Sequence, residues 1–319
     1  MEKHVYIADC TPEGGIRVFA LADGRLTPRQ FVPLDRPMYL ARENRTLYAV
    51  ARAPFADGAD SGITAYPIRP DGTLGTPGLT VSTEGTVCCH LSVHRGQVYD
   101  ANYLSGSVNL LGVKTVRHHG SGPNLPRQDG PHVHYAGFSP DKAFVLVCDL
   151  GLDTVFVYDR DLNPVSQARV PAGHGVRHLA WAEDGRTVYS VNELASTLSV
   201  FDWNNGTLTY LDTVSALPES FSGVNTAAAI RISGRTLWVS HRGLDGIAEF
   251  DIGGRIPVFR CSYPTGGVSP RDFDIAGDVL IAANEGGSVT VLDCRSHAVV
   301  QTVSAGSPLC VLTEKEETI

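Results

Sequence analysis

VRHLAWAEDGRTVYSVNELASTLSVFDWNNGTL, residues 176–208, contains the unit from which the whole chain is built. A β-rich run (VRHLAWA) meets a D-G turn. A second run (VYSVNE) ends in polar residues and turns back into a third (TLSVFDW), and N-N-G then leads into a fourth. Alternating apolar runs punctuated by Gly, Asn and Asp read as consecutive hairpins. The central hairpin recurs seven times, its first strand reading VYIADC at 5, LYAVAR at 47, VYDANY at 98, VLVCDL at 145, VYSVNE at 188, LWVSHR at 237 and LIAANE at 280. Spacings of 42 to 51 residues are those of four-stranded propeller blades.

An outer strand follows turns such as those in ALADGRL, IRPDGTL and DWNNGTL. An inner strand precedes every hairpin except the first, as in PMYLA at 37, CCHLSV at 88, VHYAGFS at 133 and PRDFDIA at 270. The last strand-like run, PLCVLT at 308, supplies the missing one. The expected fold is therefore all-β: a seven-bladed propeller of four-stranded antiparallel blades, with residues 1–319 as one domain. The C-terminal strand joins the N-terminal blade and closes the ring, leaving only short strand edges.

Composition narrows the function. A hydrophobic fraction of 43% with 19% charged residues suits a packed core. A net charge of −8 without a Lys/Arg-rich run argues against nucleic acid as a partner. No apolar stretch is long enough for a spanning helix, so no membrane partner is expected. The opening MEKHVYIADC has no signal-peptide pattern, and seven cysteines without C-x-x-C spacing read as reduced thiols, which together point to the cytoplasm. Nothing in the chain specifies an oligomeric state.

Superposed repeats place the ends of the first hairpin strands together near one mouth of a central channel. Those pairs are Asp9/Cys10, Ala51/Arg52, Asn102/Tyr103, Asp149/Leu150, Asn192/Glu193, His241/Arg242 and Asn284/Glu285. The starts of the inner strands add His90, His132, His134, Arg177, His178 and Arg271, and the irregular segment 118–132 adds Arg127. Arginine forks match carboxylate and phosphate, so Arg127, Arg177, Arg242 and Arg271 point to a small anionic substrate. Glu193 beside them stays ionised and is placed to orient or deprotonate water, a role His132 or His134 could fill instead. PHVH spacing puts His132 and His134 on one face of a strand, but two ligands make no metal site, and no metal or other cofactor is expected. No G-x-S-x-G motif signals a nucleophilic serine.

The stretches ANYLSGSVNL (101–110), GSGPNLPRQDGPHVH (120–134), CDLGLDTVFVYD (148–159), residues 176–201 and PRDF at 270 resemble the lactonase-type seven-bladed propellers. That family includes bacterial 6-phosphogluconolactonase and fungal carboxy-muconate cyclase. The resemblance implies metal-independent hydrolysis of 6-phosphogluconolactone, with a histidine of PHVH (His132 or His134), Arg177, Glu193, and Arg242 or Arg271 as the catalytic set. Arg127, Arg242, Arg271, His178 and Asn192 are the candidate substrate contacts. The chain departs from the family at Ala229, where an acidic residue is usual, at His241, where Asn or Asp is usual, and at Asp129, where the usual RQE becomes RQD. Two other readings share the fold: a carboxy-muconate-type cycloisomerase, and a propeller that binds proteins without catalysis.

Overall fold

The computed structural model describes residues 3–52 and 59–314. Among the described residues twenty-eight strands run from β1 (Lys3–Asp9) to β28 (Pro308–Thr313), numbered in chain order, and form seven four-stranded antiparallel sheets. Six sheets each take four consecutive strands. The remaining sheet has the order β28-β1-β2-β3, with β2 at Gly15–Ala22 and β3 at Arg25–Pro33, so the last strand closes the ring as expected. Val5 to Ala8 pair with Thr313 to Cys310. Asp9 accepts hydrogen bonds from the Gly306 and Ser307 amides leading into β28. From the neighbouring blade, Asp272 and Asp274 accept the Val311 and Thr313 amides, so carboxylates clamp the closing strand on both sides.

Burial follows position within the blade. Strand β17 (Thr187–Asn192) is buried at every residue because neighbouring blades cover both of its faces. Outer strand β19 (Thr207–Ser215) is mostly exposed and correspondingly polar. Apolar clusters fill the seams between blades. In one, Leu146, Val155 and Val157 meet Val188, Phe201 and Trp203. Each such side chain contributes about 1.5–3 kcal/mol on full burial. Blade 2 departs from the expected pattern after IRPDGTL: Leu74 only bridges to Ile68, and the outer strand β7 is reduced to Val81–Ser82. Gly75, Pro77 and Gly78 intervene, and proline cannot donate to a strand ladder.

One irregularity recurs in all seven blades. Each inner strand shifts register near its start, and in six of the seven it does so at the second residue, leaving Met38, Cys89, His134, Arg177 and Arg271 without a cross-strand partner in blades 2, 3, 4, 5 and 7. Leu309 is the equivalent in β28, and in blade 6 Ala228 and Ala229 stand opposite Ser240 alone. A bulge of this kind bends the strand and re-aims the extra side chain.

Candidate functional site

The bulges and the strand ends build a cavity of about 240 Å³ at one mouth of the channel. Bulge residues Met38, Cys89, His134 and Arg271 line it, together with Arg52, Tyr103, Glu193 and Arg242, each just past or at the end of its hairpin strand, and Val87, Arg127 and Thr226. The final strand residues expected beside them do not reach the cavity. Asn192 is fully buried, its amide bonded to Thr197 and Ser199 and its carbonyl oxygen to Ser190, so it stitches the blade. Asp149 likewise holds the His132 and Gly151 amides and the His118 ring, and Asn284 binds Thr265 and Thr290.

Glu193 is the hub. Its carboxylate meets Arg127 Nη2 at 2.5 Å, Arg177 Nε at 3.0 Å and Arg242 Nη2 at 2.9 Å. Burial alone would raise its pKa, but Arg242, Arg177, His134 and Arg127 outweigh burial and hold it well below the ordinary value. Arg177 is itself buried, with Nη1 donating to the Ala228 carbonyl at 2.6 Å. Burial, and then the repulsion of Arg242, lower its pKa to about 10, which leaves it cationic at neutral pH. Arg271 also lines the cavity, 3.5 Å from Glu285.

His132 and His134 do not share a strand face. His132 precedes β12 (Val133–Phe138), and His134 is the bulged residue of that strand, so simple alternation fails there. His132 stacks on Tyr103 at 4.4 Å, with Asp129 at 3.2 Å from Nε2. His134 lines the cavity with Nδ1 buried and unpartnered, and burial and then Arg177 keep its pKa well below the usual imidazole value. His178 packs edge-on to His134 at 5.2 Å and lines a second cavity, of about 490 Å³, with Tyr39, His90 and Tyr135. The channel thus divides the expected histidines: His134 belongs to the arginine site, and His90 and His178 to the other cavity.

Segment 118–132 delivers Arg127 because Gln128 anchors it. That fully buried amide accepts from the Asn124 amide and donates to the Leu150 carbonyl and to Asp153. The sequence pattern gives no signal for Gln128, and it places Arg52 at the channel mouth without marking it as a substrate contact. Arg52 was visible as the residue after a hairpin strand. Ala229 and His241 are both fully buried away from the cavity lining.

Among the described residues four arginines (Arg52, Arg127, Arg242 and Arg271) line this cavity, and Arg177, which does not line it, is buried against the lining carboxylate Glu193; with Glu285 beside Arg271, they leave a surplus of positive charge in an acidic protein. Such a place attracts an anion and stabilises charge that develops on a reacting carbonyl. The chain belongs to the family described as Lactonase, 7-bladed beta-propeller, whose model matches residues 4–313. It is similar to a Lactobacillus plantarum protein of known structure, with a TM-score of 0.89 and 30% identity, covering 99% of this chain and 100% of that one. It is also similar to the periplasmic gluconolactonase of Pseudomonas aeruginosa, with a TM-score of 0.87 and 28% identity, covering 98% and 99%. An uncharacterized protein of Lactococcus lactis subsp. cremoris is 35% identical over 277 residues, 79% of each chain. One of these relatives is periplasmic, so they do not bear out the cytoplasmic expectation. Among the described residues no helix is long and apolar enough to cross a membrane.

Proposed function

We propose that the chain hydrolyses an anionic sugar lactone, with 6-phosphogluconolactone as the first substrate to test. The observation that carries this reading is the arginine surplus around a cavity of about 240 Å³, just below the ~300–1,000 Å³ of drug-sized sites and suited to a single sugar ring. The P. aeruginosa relative named as a gluconolactonase supports the lactone part of it.

In this mechanism Arg177, held just behind the cavity lining by Glu193 and the Ala228 carbonyl, reaches past Glu193 to donate to the lactone oxygen as it becomes an oxyanion. Arg271, with Arg52 beside the same cavity, holds the phosphate. A carboxylate shared by three arginines has little affinity for a proton, so Glu193 serves better to orient those arginines than to act as a base. His134 is neutral and has an unpartnered Nδ1. It takes a proton from water as the hydroxide equivalent adds to the carbonyl, and returns that proton to the ring oxygen as the C–O bond breaks and the alcohol leaves.

Lactone disappearance in a weakly buffered indicator assay tests the proposal. Arg177→Ala and His134→Gln should lower kcat, whereas Arg271→Ala should raise KM for the phosphorylated lactone and leave gluconolactone nearly unaffected. Wild-type rates in both Arg177→Ala and His134→Gln would end the lactonase reading. Failure of inorganic phosphate to compete would shift it to a carboxylated substrate.

A further inference from the structure

Far from the channel, Glu249, Cys261 and His297 place a carboxylate oxygen, a thiol sulfur and an imidazole nitrogen all within 4.8 Å of one another. Two blades contribute. Glu249, on β22 (Gly246–Asp251), pairs directly with Cys261, on β23 (Val258–Pro264), so both side chains stand on one face of the sixth blade. His297 comes from the seventh blade, in the turn between β26 (Ser288–Asp293) and β27 (Val299–Ser304). Its backbone is left-handed, with φ of 59°, an uncommon conformation for a side-chain-bearing residue. The ring lies flat on Tyr263, 3.9 Å away and 8° from parallel, and Nε2 is 3.6 Å from Glu249 Oε2. All three residues are half-buried, accessible to an ion yet held in place by packing.

We propose that this seam binds a zinc-class divalent cation through Glu249, Cys261 and His297, with water in the fourth position, clasping the outer edge of the sixth blade to the seventh. A mixed sulfur, nitrogen and carboxylate set is characteristic of such ions, whereas calcium and magnesium take oxygen alone. Tetrahedral zinc with bonds of about 2.0–2.3 Å sets its ligands about 3.5 Å apart, so the triad closes by roughly an ångström, a rotamer adjustment. Binding replaces the thiol proton by the metal, and that proton leaves to solvent. Arg260 is the competing charge. It contacts Glu249 at 3.4 Å but is held more closely by Asp251 at 2.7 Å, leaving Glu249 Oε2 to face His297. The site is independent of the lactonase reading.

The test uses the full chain, stripped with chelator, kept reduced, and titrated with Zn²⁺ and Co²⁺. One equivalent should bind. Co²⁺ should develop a thiolate charge-transfer band that Cys261→Ser abolishes, and Zn²⁺ should raise the unfolding temperature of wild type but not of His297→Gln. Glu249→Gln should weaken binding tenfold or more. Cobalt spectra identical in wild type and Cys261→Ser would overturn the site. Should Cys261→Ser fail to fold, a zinc-induced temperature shift undiminished in His297→Gln would overturn it equally.

Discussion

Replacing Glu193 by Gln removes one negative charge and almost no volume, which makes it the sharpest probe of the arginine site. The Arg177 side chain is 3% exposed, that of Arg242 13% and that of Arg127 43%, so two of the three cations that lose their counter-ion are largely shut off from water. Breaking a buried ion pair on one side costs about 3–5 kcal/mol. The low end applies, because Gln keeps an acceptor oxygen, Arg127 is solvated and the cavity admits a buffer anion. A loss of about 3 kcal/mol lowers the unfolding temperature of a domain this large by roughly 4–5 °C. Arg177 keeps its bond to the Ala228 carbonyl but its Nε loses the charged partner, so kcat should fall by about 10–100-fold, short of the full ~10²–10³ for deleting an oxyanion donor. The unmatched positive charge should make inorganic phosphate a tighter competitive inhibitor than it is of wild type. Urea and thermal unfolding, together with steady-state lactone hydrolysis in a phosphate series, read all three quantities. A Glu193→Gln protein with wild-type stability, kcat and phosphate inhibition would show that the carboxylate does not organise the arginines.

Three further outcomes follow from other parts of the molecule. Burial holds His90 at about 3 and His241 at about 4, and pushes His134 and His178 well below 6.5. The unfolded chain therefore binds more protons below about pH 6.5, and stability should fall from there towards pH 5 by up to about 1.4 kcal/mol per pH unit for each histidine, measured by urea unfolding across that range. Glu193 acts with the same sign only lower down: its stabilising contribution is intact above the ordinary 4.5 and fades as pH falls towards its own depressed value. Gln128→Ala should cost about 2–3 kcal/mol for its lost buried hydrogen bonds and raise KM as Arg127 loses its support, checked by unfolding and saturation kinetics. Ending the chain at Ser307 strips the first blade of its inner strand, where Leu309, Cys310 and Val311 are buried, and should give an aggregated or expanded product by size-exclusion chromatography.

Much of this was legible in the sequence because a repeat converts spacing into proximity. Glu193 and Arg242 hold the same place in different copies, as do Arg177 and Arg271, and the aligned copies identify the ring, its closure and the charged side chains gathered at the channel mouth. The same alignment could not distinguish Asn192 from Glu193. Both are polar and adjacent, and only the hydrogen bonds show that the first is spent within its blade. Strict alternation likewise put His132 and His134 together, because a bulge changes the backbone without leaving a mark in the hydropathy pattern. The Glu249, Cys261 and His297 group is not legible in the sequence because it depends on the pairing register of one blade and on a turn contributed by the next.

The seven bulges separate recognition from architecture. Met38, Cys89 and Leu309 occupy the same kind of unpaired inner-strand position as His134, Arg177 and Arg271. A residue that has no cross-strand partner can be exchanged without breaking a ladder. The ring therefore works as a set of interchangeable sockets, in which new ligand chemistry is written by substituting one socket at a time while the strands that hold it stay as they are.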